Sequence, residues 1–199
     1  MKHVAGIILA AGASSRMGKD KALLGWHGRS FLEHLVAALR RAGVEPVRVV
    51  LGTNAEEVQR HIKFATEEVV VNHEWERGML SSLIAGLDSL PREVKAAVIC
   101  LVDHPCVSSR LIQTLIEQFR ASGKPIVLPT YRARRGHPVL FAASLLDELR
   151  AAPLEVGARH VVRHHATEVL EVPTDEEGVV LNINDPAAYE KVLQIPLPG

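Results

Sequence analysis

The chain of 199 residues is long enough for one hydrophobic core, and we expect a single domain over residues 1–199. Lysine plus arginine and aspartate plus glutamate number 23 each, so the chain lacks the basic excess of nucleic-acid-binding proteins. Its longest apolar run, around Ala96–Val102, is too short to cross a membrane, and two cysteines are too few for a disulfide framework. We therefore expect a cytoplasmic protein that binds neither nucleic acid nor membranes.

Short apolar runs alternate along the chain with longer amphipathic segments, which indicates strands and helices in turn. The predicted elements in chain order are strand Val4–Ala10, helix Ser30–Ala42, strand Val47–Leu51, helix Asn54–Ile62, strand Val69–Val71, helix Met79–Leu90, strand Ala97–Val102, helix Ser108–Ala121, strand Ile126–Leu128, strand Val139–Phe141, helix Ala142–Ala151, helix Val156–His165, strand Val169–Val172 and strand Val179–Leu181.

Repeated strand–helix units predict a three-layer α/β/α fold with a mostly parallel central sheet. The regular alternation weakens after Leu128, and an insertion or a mixed-direction edge is the simplest interpretation. Ligands of such folds bind beyond the carboxyl ends of the strands, so the polar residues that follow strands are the candidates for function.

The first strand ends in the stretch IILAAGASSRMGKDKALL, residues 7–24. A Walker loop has four residues between its glycines and then Lys-Ser/Thr, but five residues separate Gly12 from Gly18, and Lys19 is followed by Asp20. A dinucleotide fingerprint has a middle glycine and an acidic residue after the second strand, and the chain has neither. Both templates are excluded.

The loop nevertheless has the composition of an anion site. The small residues Ala10–Ser15 let backbone N–H groups approach anionic oxygens, and Arg16 and Lys21 are suited to bind phosphate. A solvated turn with surface cations is the alternative interpretation.

Asp103 follows the apolar run AAVICLV, which predicts that its carboxylate lies at the same sheet edge as the loop. Mg²⁺ prefers oxygen ligands, so Asp103 is a candidate magnesium ligand. The alternative is a turn or cap residue before Pro105, although Ser108 is the better helix cap.

The histidines favour a structural interpretation. His160 and His164 share a helical face and His165 follows, but the sequence shows neither a third zinc ligand nor the glutamate of His-Glu-x-x-His. These three are therefore interpreted as surface residues.

For two groups of residues the sequence allows both a structural and a binding role. Gly78, Ser81 and Ser82 lie at a helix start and either face a bound phosphate or belong to the helix. The arginines at positions 132, 134 and 135 form either a solvated loop or a clamp for an anionic acceptor.

Four ordered motifs carry a family resemblance. LAAGASSRMGKDK (9–21), NHEWERGMLSSLIAGL (72–87), VDHPCV (102–107) and RRGHPVLF (134–141) resemble the signatures of the MobA-like NTP transferases. They are most similar to the cytidylyltransferase (MocA-like) branch, which acts on the molybdenum cofactor. The resemblance implies a Rossmann-like fold of the nucleotide-diphospho-sugar transferase type, and transfer of a nucleoside monophosphate to a phosphorylated acceptor with Mg²⁺ and release of pyrophosphate.

The resemblance also implies roles for individual residues. Arg16, Lys21 and Asp103 would be catalytic, and Asp103 and Asn184 would hold the metal, with Asn182 as the alternative to Asn184. The implied nucleotide contacts are Leu9, Ala10, Ala11, Gly12, Ser14, Arg16, Lys21, Ser82 and Asp103, and the implied acceptor contacts are Arg135, Gly136, His137 and Pro138.

The implied substrates are CTP, which Ala11 and the Gly-His-Pro segment favour over GTP or another NTP, and a molybdopterin-type cofactor. A molybdoenzyme is a possible recipient. The chain departs from the family at His104, where glutamine is usual, at residues 154–159 and at 182–188. The alternatives are a related transferase that uses GTP or a sugar or lipid phosphate, and a non-catalytic carrier of the cofactor.

Overall fold

A computed structural model describes residues 3–12, 19–65 and 68–197 of the chain. The strands are β1 Val4–Ala10, β2 Gly25–Trp26, β3 Arg29–Ser30, β4 Val47–Leu51, β5 Val69–Val71, β6 Ala96–Leu101, β7 Ile126–Tyr131, β8 Arg134–Arg135, β9 Val139–Ala142 and β10 Val169–Pro173. The helices are α1 Phe31–Arg41, α2 Ala55–His61, α3 Met79–Asp88, α4 Ser109–Ser122, α5 Leu146–Ala151, α6 Arg159–His164 and α7 Pro186–Leu193.

One mixed sheet organises the described residues, with the strand order β10-β7-β9-β6-β1-β4-β5 and β8 paired to β7. The pairs of β1 with β4 and β6, of β4 with β5, and of β7 with β10 are parallel. β1 is buried at all seven positions, as expected for a strand covered on both faces. The three-layer α/β fold predicted from the alternation is confirmed.

Alternate residues of β1 face two separate cores. Ile8 and Ala10 pack into the layer formed with α1 and α4, whereas Ile7 and Leu9 pack into the layer formed with α3, α5 and α6. This period of two is the geometry of an extended strand, and it explains why the sequence of β1 is apolar throughout.

The predicted helix starts are also confirmed where a capping side chain marks them. The Ser30 hydroxyl accepts a hydrogen bond from the Glu33 amide, and the Ser30 amide donates to the Glu33 carboxylate, a complete capping box at the start of α1. Ser108 accepts from the Leu111 amide at the start of α4.

Two sequence-based expectations about the second half are wrong. β9, which runs antiparallel to both of its neighbours, lies inside the sheet between β6 and β7 and is not an edge. Its sequence VLFA is buried at three of four positions, which fits an interior strand. Residues Glu177–Val180, where a strand Val179–Leu181 was predicted, form a 3-10 turn in which Val179 is fully buried.

Among the described strands and α-helices, the β2–β3 hairpin, β8 and α7 had no counterpart in the sequence-based prediction. α7 begins with Asp185, whose carboxylate accepts from the Ala188 amide, and with Pro186 at its first position. No helix among residues 3–12, 19–65 and 68–197 is both long and apolar enough to span a bilayer.

The 3-10 turn at 177–180 is held by close backbone contacts that only glycine permits. A Cβ on Gly178 would lie 2.0 Å from the Cys106 carbonyl oxygen, and a Cβ on Gly136 would lie 2.5 Å from the Val179 carbonyl oxygen. These two contacts stack the turn between the segment that follows β6 and the segment that precedes β9.

We expect Gly178→Ala to lower the free energy of unfolding by about 1–3 kcal/mol or more, because the added methyl overlaps the backbone carbonyl of Cys106. The measurement is urea denaturation of both proteins. Gly25→Ala is the matched control, since a Cβ there meets nothing within 4 Å. Equal stability of the Gly178 variant and wild type would contradict the packing described here.

Candidate functional site

A cavity of about 360 Å³ opens at the carboxyl edge of the sheet. Its walls come from the ends of β1 and β6, which are adjacent parallel strands with Leu9 opposite Leu101. The chain runs from β1 outward to β4 and β5 and returns to β6 on the other side of β1, so the cavity lies where the strand order reverses. This switch point is the usual ligand position in open α/β sheets.

The residues that line the cavity belong to four segments. They are Leu9, Ala11 and Gly12 after β1, Lys21, the segment Leu101–Asp103 after β6, and Trp75, Glu76, Gly78, Met79 and Ser82 around the start of α3.

Lys21 links the acidic and amide groups at this edge. Its ammonium group donates to the Asn184 side-chain oxygen at 2.5 Å and lies 3.7 Å from a carboxylate oxygen of Asp103. The side chains of Lys21 and Asp103 are only 14% and 18% exposed, so their charges are poorly screened by solvent. Two oxygens from distant parts of the chain therefore converge on one position of positive charge.

The backbone places Asn184 beside Asp103. The amide of Ile183 donates to the Asp103 carbonyl at 2.9 Å, and the Ile183 side chain is fully buried. This bond and this anchor set the register of the 182–185 segment, with Asn184 turned toward Lys21 and Asn182 exposed to solvent.

Asp20, the residue that excluded a Walker loop, has a structural explanation. One of its carboxylate oxygens accepts from the Ala22 amide at 2.8 Å and caps the 3-10 turn Lys21–Leu23. The other oxygen accepts from the Asn54 side-chain amide at 2.8 Å. Asp20 therefore ties the Lys21 turn to the start of α2 and orients the lysine toward the cavity.

Asp103 and Asn184 are the residues that could hold a divalent cation. Carboxylate and amide oxygens are ligands that Mg²⁺ accepts, and both already contact the ammonium group of Lys21. This donor set, arranged around a positive charge, fits a hard cation bound by few protein ligands.

The start of α3 supplies backbone groups to the cavity. Gly78, with φ of 98°, ends the Trp75–Arg77 turn and leads into α3, a conformation that favours glycine. The Ser81 hydroxyl donates to the Gly78 and Glu74 carbonyls, whereas Ser82 lines the cavity. Of the two serines whose role the sequence did not decide, Ser81 thus bonds to the backbone around the helix start and Ser82 faces the cavity.

Asn72 holds this helix start in place from a buried position. Its side-chain amide donates to the hydroxyls of Ser81 and Ser82 at 2.9 and 3.0 Å, and its oxygen accepts from the Glu74 amide at 2.9 Å. Because the Ser82 oxygen accepts from Asn72, the hydroxyl proton of Ser82 remains to be donated elsewhere.

Two histidines form a neutral pair behind Asp103. The rings of His104 and His137 lie 5.0 Å apart, and burial lowers the pKa of each to about 4. Among the described residues, the Nδ1 atom of each ring has no hydrogen-bond partner. His104 is therefore uncharged at pH 7, like the glutamine usual at this position, and does not compete for the negative charge of Asp103.

The segment expected to contact the acceptor divides between surface and interior. Arg135 is exposed on β8 and pairs with Glu171 at 2.7 Å, while Gly136 and Pro138 are buried. His137 lies near enough to Asp103 and Arg159 for both charges to affect its pKa. None of these four residues lines the 360 Å³ cavity.

Arg132 is exposed at the tip of the hairpin between β7 and β8, with its guanidinium 5.1 Å from the centre of the Tyr131 ring. It therefore lies on the protein surface and makes a cation–π contact there.

The structure thus brings together Leu9, Ala11, Gly12, Lys21, Ser82, Asp103 and Asn184. The Ala10 side chain packs into the core on the α1 side. Ser14 and Arg16 lie outside the described residues, and their roles remain predictions.

Sequence reasoning missed the contribution of Trp75 and Gly52. A Cβ on Gly52 would lie 2.4 Å from the Ala11 carbonyl oxygen and 3.1 Å from the Trp75 ring. This glycine lets the end of β4 approach the loop after β1 and lets the indole pack beside it, where it lines the cavity. The sequence signal that could have identified Trp75 was its place in the 72–87 motif.

Comparison with known proteins identifies the family of this chain. The model of the MobA-like NTP transferase domain matches residues 6–169. Nicotine blue oxidoreductase of Paenarthrobacter nicotinovorans is 36% identical over 167 residues, which cover 80% of this chain and 81% of that protein. A probable molybdenum cofactor guanylyltransferase of Bacillus cereus (strain G9842) is 28% identical over 199 residues, 95% of each chain.

Among solved structures, Rv0371c from Mycobacterium tuberculosis H37Rv superimposes with a TM-score of 0.87 at 26% identity, over 98% of both chains. The match to the family model covers all the strands of the central sheet except the first residues of β1 and most of β10. It includes both strands that carry the cavity, and on this ground the chain belongs to the MobA-like NTP transferase family.

Proposed function

We propose that this protein is a divalent-metal-dependent nucleotidyltransferase that transfers CMP from CTP to the terminal phosphate of a molybdopterin-type cofactor and releases pyrophosphate. The observation that carries the proposal is the convergence of Asp103, Asn184 and Lys21 at the mouth of a cavity on the switch point of the sheet. This arrangement offers oxygen ligands for a cation and a positive charge for phosphate.

The cavity supplies the binding surface for the nucleotide. Its volume of about 360 Å³ lies within the range of small-molecule sites, and Trp75 gives it an aromatic wall on which a base can stack. The phosphates would lie toward the amides at the start of α3, a helix of 10 residues whose N-terminal end favours anions.

The metal would be held by the carboxylate of Asp103 and the amide oxygen of Asn184. Bound Mg²⁺ would neutralise charge on the phosphates, and it retains several waters in such sites, so two protein ligands are a sufficient set.

The residues of the site have to position the two substrates and neutralise the charge of their phosphates, and no proton has to be removed. An oxygen of the acceptor phosphate, already an anion, attacks the α-phosphorus of CTP and forms a new P–O–P bond. The bond from the α-phosphorus to the α,β-bridging oxygen breaks, and pyrophosphate leaves with the electron pair. Lys21, aimed into the cavity edge by Asp20, would offset the charge that develops on the leaving oxygen, with Arg16 as the second proposed cation.

The identity of the nucleotide rests on the loop after β1. The family resemblance associates Ala11 and the Gly136–Pro138 segment with CTP, and Ala11 lines the cavity, where a glycine would leave more room for a larger base. GTP is the alternative, supported by the relative named as a guanylyltransferase and by the 182–188 segment.

The acceptor rests on the same relative, whose name specifies the molybdenum cofactor. The relative named as an oxidoreductase makes reduction of an organic substrate a second candidate activity. The cavity favours transfer, because its polar groups are a lysine and oxygen ligands suited to phosphate and a cation, and because the chain lacks the glycine and acid pattern of dinucleotide binding.

The test incubates the protein with Mg²⁺, molybdopterin-type cofactor and each NTP in turn, and measures pyrophosphate. We expect release that requires both the cofactor and Mg²⁺, and that is fastest with CTP. Tight cofactor binding without pyrophosphate would instead indicate a carrier. Oxidation of a reduced nicotinamide nucleotide by a dye substrate, without pyrophosphate from any NTP, would indicate an oxidoreductase.

In the same assay Asp103→Asn should lower turnover by about 100-fold or more, because the neutral amide removes the one carboxylate of the donor set. Asp88→Asn is the control, since Asp88 forms an exposed ion pair with Arg150 away from the cavity. Unchanged turnover in the Asp103 variant, with an intact fold by circular dichroism, would rule out its role as metal ligand.

Asp20→Ala should lower kcat by about 10- to 100-fold with a smaller change in KM, because it frees the turn that orients Lys21. Asp20→Asn should restore most of the activity, since its oxygen still accepts from the Ala22 amide and the Asn54 amide can rotate to accept from it. Steady-state kinetics with CTP measure both. Failure of asparagine to rescue, at equal stability, would argue against this positioning role.

Ala11→Gly should shift the ratio of kcat/KM for CTP over GTP by roughly 10-fold toward GTP, the effect of one methyl group in a binding pocket. The two nucleotides are compared under identical acceptor and metal concentrations. A ratio equal to that of wild type would show that Ala11 does not set the preference.

A further inference from the structure

A cluster of two histidines and one glutamate lies outside the cavity, where the end of α6 meets α5. The Glu148 carboxylate stands between the two imidazoles, with one oxygen 2.8 Å from His164 Nδ1 and the other 2.7 Å from His165 Nε2. One donor atom from each residue lies within 4.8 Å of the other two. The sequence showed the histidines without a third ligand, and the fold supplies it from α5.

A fourth residue holds one of the imidazoles from its outer side. Glu168 lies 2.7 Å from His165 Nδ1, the ring nitrogen that does not face Glu148. A histidine that binds a metal through one nitrogen commonly donates its other N–H to a carboxylate, which fixes the ring orientation. His165 therefore already has both the inner partner and the outer support of a metal-bound histidine.

We propose that His164 Nδ1, His165 Nε2 and the Glu148 carboxylate form a Zn²⁺ site. Three protein ligands of this kind plus water complete the tetrahedral geometry that zinc prefers, and imidazole nitrogen distinguishes this site from the all-oxygen set at Asp103. The three side chains are exposed or half-buried and their donor atoms lie within 4.8 Å of one another, so side-chain rotation would suffice to bind zinc.

The two helices that carry the ligands are fixed before any metal binds. Leu149 of α5 and Val161 of α6 are fully buried in the same apolar core. Because the backbone on both sides is anchored, the cluster does not need a large ordering step on binding, and this preorganisation favours affinity.

The position of the cluster suggests what zinc would do. α6 starts at Arg159, and the charge of Arg159 lowers the pKa of His137, so this arginine lies near the pair behind Asp103. Zinc at the other end of α6 would link this helix to α5 and restrain the helix that carries Arg159. The site would then stabilise the wall of the functional site without taking part in its chemistry.

A metal-free ion-pair network is the competing explanation. Hydrogen bonds with Glu168 and Glu148 raise the pKa of His165, so a protonated imidazolium between two carboxylates is a stable arrangement by itself. This explanation predicts no specific zinc binding at the cluster.

The experiment uses the full-length chain without an affinity tag, stripped of metal, in a buffer with a large excess of Mg²⁺ over Zn²⁺. Zinc affinity is measured by competition with a chromogenic chelator, and thermal unfolding is followed with and without one equivalent of Zn²⁺. We expect one Zn²⁺ per chain and a higher Tm with zinc.

The variants separate the site from general histidine binding. His164→Ala and Glu148→Gln should each weaken zinc binding by more than about 100-fold, and Glu168→Gln by about 10-fold or more, because ligands count for more than their outer supports. His61→Ala, an exposed histidine on α2, should leave affinity and the Tm shift unchanged.

His164 is mostly exposed, so its replacement should not unfold the protein. Absence of stoichiometric binding by wild type would overturn the proposal, as would binding that is equal in wild type and the His164 and Glu148 variants.

Discussion

The ammonium group of Lys21 holds together stretches of chain that are far apart in sequence. It meets the carboxylate that follows β6 and the amide of Asn184, which belongs to the segment after the 177–180 turn. Removing this charge would leave Asp103 partly buried without its ion-pair partner, a costly arrangement. The rest of the site follows from this contact, because it brings the loop after β1, the end of β6 and the C-terminal segment to one edge of the sheet.

Backbone packing makes that convergence possible. Gly52, Gly136 and Gly178 each stand where a Cβ would lie within 2.5 Å of a carbonyl oxygen of a neighbouring segment. The absence of a side chain lets the end of β4 approach the loop after β1, and lets the 177–180 turn pack against the segments that follow β6 and precede β9. Gly136, which the family resemblance assigns to the acceptor, thus has a packing requirement that stands independently of any contact with substrate.

The layers of the fold were predictable because the strands of a covered sheet have an apolar run as their local signature, and β1, β4, β6 and β7 all have one. Direction was not predictable, since β9 is as apolar as β6 and β7 on either side of it, and only its pairing shows that it runs opposite to them. The prediction of a strand at Val179–Leu181 was wrong for a related reason. The buried apolar side chain in this segment packs into the core from a 3-10 turn. A short apolar sequence does not distinguish a buried turn from a buried strand.

At the site, residues that follow strands could be found from the sequence because the carboxyl ends of parallel strands share an edge. Asp103 belongs to this class, whereas Asn184 follows no strand and was named only through the family resemblance. Its place depends on the bond from the Ile183 amide to the Asp103 carbonyl, a tertiary contact without a sequence pattern.

The histidine cluster could not be predicted from the sequence either, because its third member comes from another helix. Helical spacing pairs His160 with His164, yet the rings of these two lie 6.5 Å apart, and the partner that stands between His164 and His165 is Glu148 of another helix. His165 is the C-cap of α6, where the chain leaves the helical path, so the helical period does not describe its direction. The geometry of such a cluster at a helix end is set by the neighbouring helix. The spacing of residues within one element therefore does not predict it.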